Sequence, residues 1–278
     1  MTDAALLALY DSQLRAEAEV ADADEVAKMG PVWAATFPGR GRGFVTYSHI
    51  PAGTDLDALI QAVIEHYQRD PRVDHFEWKT RGHDDLPALD ETLRRHGFRF
   101  EEPETVMAGP VEAAITAATP PPAGHIVERA ATADAIREAE TLAGRVFGDT
   151  AEHSSRRADE LVRRFEDDPG SFEMWLVRDD SGEVVCSGRV DFVAGTDFAG
   201  LWGGACDERH RGLGLYRAIT AARATSASAK GYRYLQSDCT EFSRPILERA
   251  GLVPITTTTP AVRTLQGRQA TCSVSWTV

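Results

Sequence analysis

The stretch Leu201-Trp202-Gly203-Gly204-Ala205-Cys206-Asp207-Glu208-Arg209-His210-Arg211-Gly212-Leu213-Gly214-Leu215-Tyr216 reads as an apolar strand, a glycine-containing turn and the start of a helix. A helix N-terminus carries backbone N–H groups with no partner inside the helix, and a partial positive charge. Both suit a phosphate or pyrophosphate. Gly212 and Gly214 remove side chains that would keep a ligand away from those N–H groups, and Arg209 and Arg211 add positive charge at the same place. The same residues also fit an ordinary strand–helix turn with solvated arginines, and spacing alone does not separate the two. Other phosphate loops fit worse. The dinucleotide pattern needs a glycine where Arg217 stands, and the Gly-Lys-Ser/Thr of a P-loop is absent.

Working outward, apolar spacing predicts a helix over 212–230, with Leu215, Ile219 and Ala222 on one stripe and Gly231 as its stop. A strand at 232–237, a short helix at 243–250 ending at Gly251, and β-rich segments at 252–259 and 271–276 follow. On the N-terminal side, 125–129 reads as a strand and 132–147 as a helix with Thr132 as N-cap. A second helix is expected at about 155–165. Three strands at 172–177, 184–193 and 198–206 come next, separated by turn residues at 179–182 and 194–197. The order βααβββαβαββ is a mixed α/β arrangement.

The segment 113–124, AAITAATPPPAG, is small, polar and proline-rich, and predicts a spacer. The expected organisation is therefore a domain at 1–112, a linker at 113–124 and a domain at 125–278. A length of 278 residues fits two domains at about 150 residues each. The first domain repeats the tail of the second: strands at 31–37 and 43–50, a helix opened by Thr54 and Asp55, a strand at 73–79, a helix at 87–96 and a strand from Phe98. Leu93-Arg94-Arg95-His96-Gly97-Phe98 has the pattern of Leu247-Glu248-Arg249-Ala250-Gly251-Leu252, each a helix end, a glycine stop and a strand start.

A net charge of −13 argues against a nucleic-acid partner and for a protein that handles small molecules. The cysteines, Cys186, Cys206, Cys239 and Cys272, form no Cys-x-x-Cys pair, and no His-Glu-x-x-His is present, so no metal site is expected. The acidic start Met1–Ala5 does not read as a signal peptide, and no apolar run approaches the roughly 20 residues of a membrane span. A cytoplasmic setting with free thiols is the expectation.

Arg209-His210-Arg211-Gly212-Leu213-Gly214 resembles the Gln/Arg-x-x-Gly-x-Gly/Ala signature of the GNAT superfamily of N-acetyltransferases. The resemblance covers roughly 125–265, including the strand order before the loop, the long helix after it and the Ser-x-Pro-Ile-Leu-x-x-x-Gly-Leu segment at 243–252. It implies two tandem GNAT-like domains with a mixed sheet whose central strand pair splays apart, the N-terminal copy being degenerate. It also implies acetyl-CoA as co-substrate. Backbone groups around Gly204, Ala205 and Cys206 would hold the pantetheine arm, and N–H groups from His210 through Leu213 to Leu215 the pyrophosphate. Ser243, at the start of the last helix, would either bond the cofactor or serve as a plain N-cap. The acceptor would be an amine, expected to be a small molecule, and the chain a monomer or homodimer. In the N-terminal copy no Arg-x-x-Gly-x-Gly remains, and Asp55 and Asp57 would repel phosphate; Pro38–Gly43 precedes a strand and reads as a hairpin turn.

Acetyl transfer needs a base for the amine and a proton for the leaving thiolate. Family members often carry the acid as a tyrosine four residues before the glycine that ends the last helix, and here that position is Leu247. Candidate bases are Asp197 and Asp238, with Asp191 if it faces inward; solvated turn aspartates are the competing reading for the first two. Tyr216 is expected to pack or touch the cofactor. A non-catalytic acetyl-CoA-binding sensor or interaction module is the alternative.

Overall fold

The structure is a computed structural model, and it describes residues 2–265. The elements run α1 (Asp3–Gln13), β1 (Glu25–Met29), β2 (Val32–Phe37), β3 (Arg42–Tyr47), α2 (Leu56–Gln68), β4 (His75–Arg81), α3 (Pro87–Arg95), β5 (Arg99–Phe100), β6 (Glu104–Pro110) and α4 (Val111–Thr116). They continue β7 (His125–Arg129), α5 (Ala133–Phe147), α6 (Ala151–Asp167), β8 (Phe172–Asp179), β9 (Val184–Phe192), β10 (Phe198–Cys206), α7 (Leu215–Ala229), β11 (Tyr234–Cys239), α8 (Arg244–Arg249) and β12 (Val253–Thr264). The strand expected at 271–276 lies outside the described residues.

The local chemistry behind these elements is plain in the C-terminal half. Thr132 caps α5 by accepting the Ala135 N–H at 3.2 Å, and Gly148 ends it at φ +74°, a left-handed value that favours glycine. Thr150 then caps α6 through the His153 N–H. Asp179 Oδ1 accepts the N–H groups of Ser181 and Glu183 and closes the β8–β9 turn. Helix α7 buries Leu215, Ile219, Ala224 and Ala227 against Val185, Val190, Leu201 and Leu235 of the sheet.

The described residues form two compact units, one of 2–6 and 105–255, the other of 7–104 and 256–265. In the first, the strand order is β6-β11-β10-β9-β8-β7, with β10 and β11 parallel and the other neighbours antiparallel. In the second, the order is β1-β2-β3-β4-β12, with β3 and β4 parallel and β5 also pairing β12. The two sheets repeat one plan, in which consecutive antiparallel strands lead to one parallel pair and then an antiparallel last strand.

This corrects the boundaries expected at 112 and 125. Each unit takes its last strand from the other half of the chain. Strand β6 pairs with β11 over Cys239–Tyr234, and residues 258–264 of β12 pair with β4. The expected linker at 113–124 begins inside α4, which packs on α7 in the first unit. The reason is physical: period-2 patterning marks a strand but does not name the ladder that satisfies its backbone. Among the described residues, no helix is long and apolar enough to cross a membrane.

Candidate functional site

The parallel ladder between β10 and β11 spans three residue pairs, Phe198–Gly200 against Tyr234–Gln236. Beyond it the strands part. Strand β10 continues with β9, and β11 continues with β6. At the parting point the Ser237 hydroxyl donates to the Leu201 carbonyl at 3.0 Å, replacing the next ladder bond with a side chain. Strand β10 then bulges between Trp202 and Ala205, with Gly203 at φ +61°. The expected splay is therefore present, and the bulge sharpens it. Gly204 stands over the Tyr216 ring, which a Cβ at that position would overlap. Gly204→Ala is expected to destabilise the chain by roughly 1–3 kcal/mol in urea denaturation, and adding Tyr216→Leu should recover most of that loss.

The splay opens toward the loop. Asp207 accepts the Arg209 N–H at 3.0 Å and starts a single helical turn at 208–210. Gly212 and Gly214 follow at φ +79° and +81°, so α7 begins at Leu215 rather than at Gly212. A Cβ on Gly212 would meet nothing within 4 Å, and one on Gly214 only the ends of the Thr119 and Arg217 side chains. The first helical bond of α7 runs from the Ala218 N–H to the Gly214 carbonyl at 3.0 Å. The N–H groups of Leu215, Tyr216 and Arg217 precede it and have no acceptor within the helix. An open approach over two glycines to those N–H groups is a cradle for an anion.

The side chains around this cradle contribute unequally. Arg209 is spent on Asp207, in a two-bond ion pair at 3.0 Å that also holds the Asp207 carboxyl well below its ordinary pKa. His210 packs edge-on against His125, with Asp179 and Asp207 beyond it, and so offers the loop its backbone rather than its ring. Arg211 has no carboxylate within ion-pair distance among the described residues; its Nε reaches the Cys206 carbonyl at 3.4 Å. Arg217, which the sequence did not single out for this role, bonds Thr119 at 3.1 Å from the first turn of α7. The positive charge available to a ligand is thus that of Arg211 and Arg217 rather than of Arg209.

Comparison with solved structures finds the same overall fold. No protein-family model and no curated protein sequence matches the chain. A GCN5-related N-acetyltransferase from Kribbella flavida superposes with a TM-score of 0.69 over 94% of this chain and 95% of that one, at 16% identity. One from Sphaerobacter thermophilus superposes at 0.62 over 86% of this chain and 78% of that one, also at 16% identity. A tandem GNAT protein from the clavulanic acid biosynthesis pathway superposes at 0.60 over 84% and 78%, at 13% identity. The chain has the tandem GNAT fold. Coverage of 94% of this chain means that the fold resemblance extends to the N-terminal half.

In this GNAT fold the sequence candidates for chemistry separate. Asp197 sits at the closed end of β10, where its carbonyl accepts the Arg233 and Tyr234 N–H groups. The three-pair ladder stands between it and the opening, roughly 10 Å of strand. Asp197 thus lies at the end of the strand away from the opening. Asp238 lies on β11 past the parting point, buried, with Gln236 Nε2 donating to it at 2.6 Å. Asp191 is held between Arg164 at 3.1 Å and Arg189 at 2.6 Å. Leu247 faces the hydrophobic core and is fully buried. Ser243 stands at the N-cap position of α8 without a side-chain capping bond. Tyr216 is buried, with the fully buried Arg223 guanidinium 5.4 Å from its ring centre, so it packs rather than faces solvent. Among the described residues no cluster of His, Cys, Asp and Glu is placed to hold a metal ion.

The corresponding opening in the N-terminal unit is filled by the chain itself. The β3–β4 ladder covers Arg42–Val45 against His75–Trp78. Just beyond it, the Glu19 carboxylate bridges the strands, accepting from Thr46, from Lys79 at 2.9 Å and from Arg81 at 2.6 Å. Arg15 donates to the Tyr47 carbonyl at 3.2 Å and pairs with Asp84 through two bonds of 2.9 Å. At the start of α2, Asp55 accepts the Ala58 N–H at 3.0 Å, so a carboxylate already occupies the place a phosphate would take.

Proposed function

We propose that this protein is an acetyl-CoA-dependent N-acetyltransferase that works through its C-terminal unit and acylates the amine of a small molecule. The observation that carries this reading is the short β10–β11 ladder opening directly onto the glycine cradle at the start of α7. A bound acetyl-CoA would supply the activated acyl group. The N–H groups of 212–217, with Arg211 and Arg217, would hold its pyrophosphate, and the backbone of 203–206, freed from β11 by the splay, would align its pantetheine arm. Backbone N–H groups of the splayed strand would also stabilise the developing oxyanion. Asp238 is the carboxylate nearest the parting strands on β11, and we assign it the amine proton, taken directly or through water. We further propose a cytoplasmic protein that is monomeric or homodimeric and has no nucleic-acid partner, in keeping with a net charge of −13.

The filled N-terminal opening leads to a stoichiometry. Calorimetric titration is expected to find one acetyl-CoA per chain, and two equivalent sites would contradict the reading. Leu247 in the core, where a proton donor was expected, favours a second reading in which the protein binds acetyl-CoA without turnover. Thiol release with a panel of primary amines separates the two. Amine-dependent release supports the transferase, and binding without release supports the module.

A further inference from the structure

Two thiols face each other across the end of the β10 strand. Cys206 is the last residue of β10, and its direct partner in the antiparallel register is Cys186 on β9. The Asp207 N–H donates to the Val185 carbonyl at 2.9 Å. A bond from the residue after one partner to the residue before the other marks the enclosed pair as a non-hydrogen-bonded one. Such pairs hold their Cα atoms about 4.5 Å apart with both side chains on one face. A disulfide accepts Cα separations of about 4.4–6.8 Å, so the backbone already meets the requirement.

The two thiols differ in the way a reactive pair needs. The register sets them side by side. Cys186 is fully buried, and Cys206 is only partly covered. The closeness of Cys186, and then the Arg211 guanidinium, hold the Cys206 thiol below its ordinary pKa, while burial pushes the Cys186 thiol up. A partly exposed thiol with a lowered pKa reacts more readily with oxidants, and a buried thiol opposite it in the register is placed to resolve the product. Cys239, also buried, lies on β11 and is not in register with either of them.

We propose that Cys206 and Cys186 are an oxidant-reactive pair that closes to a disulfide on meeting a hydroperoxide. The Cys206 thiolate sulfur attacks one peroxide oxygen, an S–O bond forms, the O–O bond breaks, and the other oxygen leaves as water or an alcohol after taking a proton. The Cys186 sulfur then attacks the Cys206 sulfur, the S–S bond forms, the S–O bond breaks, and the hydroxyl leaves as water with the Cys186 proton. Two thiols lose two electrons, and the peroxide gains them. The bond joins β9 to β10 one residue before Asp207, where the loop begins.

The test uses the reduced full-length chain, hydrogen peroxide, and mass spectrometry of the intact protein and of its non-reduced peptides. The expected result is the loss of two hydrogens, one linked peptide pair containing Cys186 and Cys206, and full reversal by dithiothreitol. Cys186→Ser should stop at a sulfenic acid on Cys206 that dimedone traps, and Cys206→Ser should slow thiol consumption roughly tenfold or more. Sulfinic acid on Cys206 without a cross-link, a bond to Cys239 or Cys272 instead, or an unreacted pair in the wild-type chain would each overturn the proposal. None of these readouts needs acetyl-CoA, so the proposal stands or falls independently of the function proposed above.

Discussion

Gly212→Asp is expected to weaken acetyl-CoA binding about a hundredfold or more in calorimetry while leaving the fold intact. Gly212 has φ +79°, and a Cβ added there meets no protein atom within 4 Å. Aspartate is among the residues that tolerate a left-handed backbone, so the conformational cost is modest. The carboxylate would stand at the mouth of the cradle, against the N–H groups at the start of α7 that a pyrophosphate needs. A hundredfold change corresponds to about 2.7 kcal/mol, within reach of one misplaced charge at a partly desolvated anion site. Gly212→Ala separates charge from strain. It keeps the backbone cost without the charge and should lose much less affinity. Equal losses for both variants would mean that loop conformation, not anion binding, dominates.

The largest expected effect on stability lies in the other unit. Arg81→Met should cost about 3–5 kcal/mol in urea denaturation, the range for breaking a buried ion pair from one side. The Arg81 side chain is fully buried, and Glu19, which it holds, is nearly so. Burial alone would raise the Glu19 pKa, but Arg81 and then Lys79 outweigh it and bring it from 4.5 down to about 2. A depressed carboxylate contributes stability that is fully present above its unfolded value and is lost as pH falls toward the folded one. For Glu19 that window runs from about pH 4.5 down to about 2, and the contribution is on the order of 3 kcal/mol. In Arg81→Met the folded-state value moves back up, so the acid-induced loss between those limits should shrink. An Arg81→Met chain within 1 kcal/mol of wild type would contradict this account, at about the resolution of such measurements.

The element order from β7 to β12 was legible because each element carries its own local signal. Thr132 caps, Gly231 and Gly251 stop helices, and Asp179–Gly182 turns the chain. Helix α7 begins three residues later than apolar spacing predicts. Apolar spacing extends back to the loop, but two glycines at left-handed φ cannot belong to a right-handed helix. Other features depend on pairs far apart in the chain. Which end of β10 opens is set by its register with β11, and this puts Asp197 at the closed end. The exchange of β6 and β12 is set by ladders, not by the pattern of either strand. Glu19 and Arg15 fill the N-terminal opening from positions 27 and 32 residues before their β3 contacts, Thr46 and Tyr47, and no local motif announces such a contact. Ser237, which bridges the parting strands, looks in the sequence like any small strand residue.

The most direct test of the C-terminal site is a crystal structure with coenzyme A bound. The account predicts pyrophosphate oxygens on the N–H groups of 212–217, pantetheine alongside 203–206 between the parted strands, and no coenzyme at the β3–β4 opening where Glu19 sits. Coenzyme bound in the N-terminal unit, or a pyrophosphate held away from the 212–217 backbone, would contradict it.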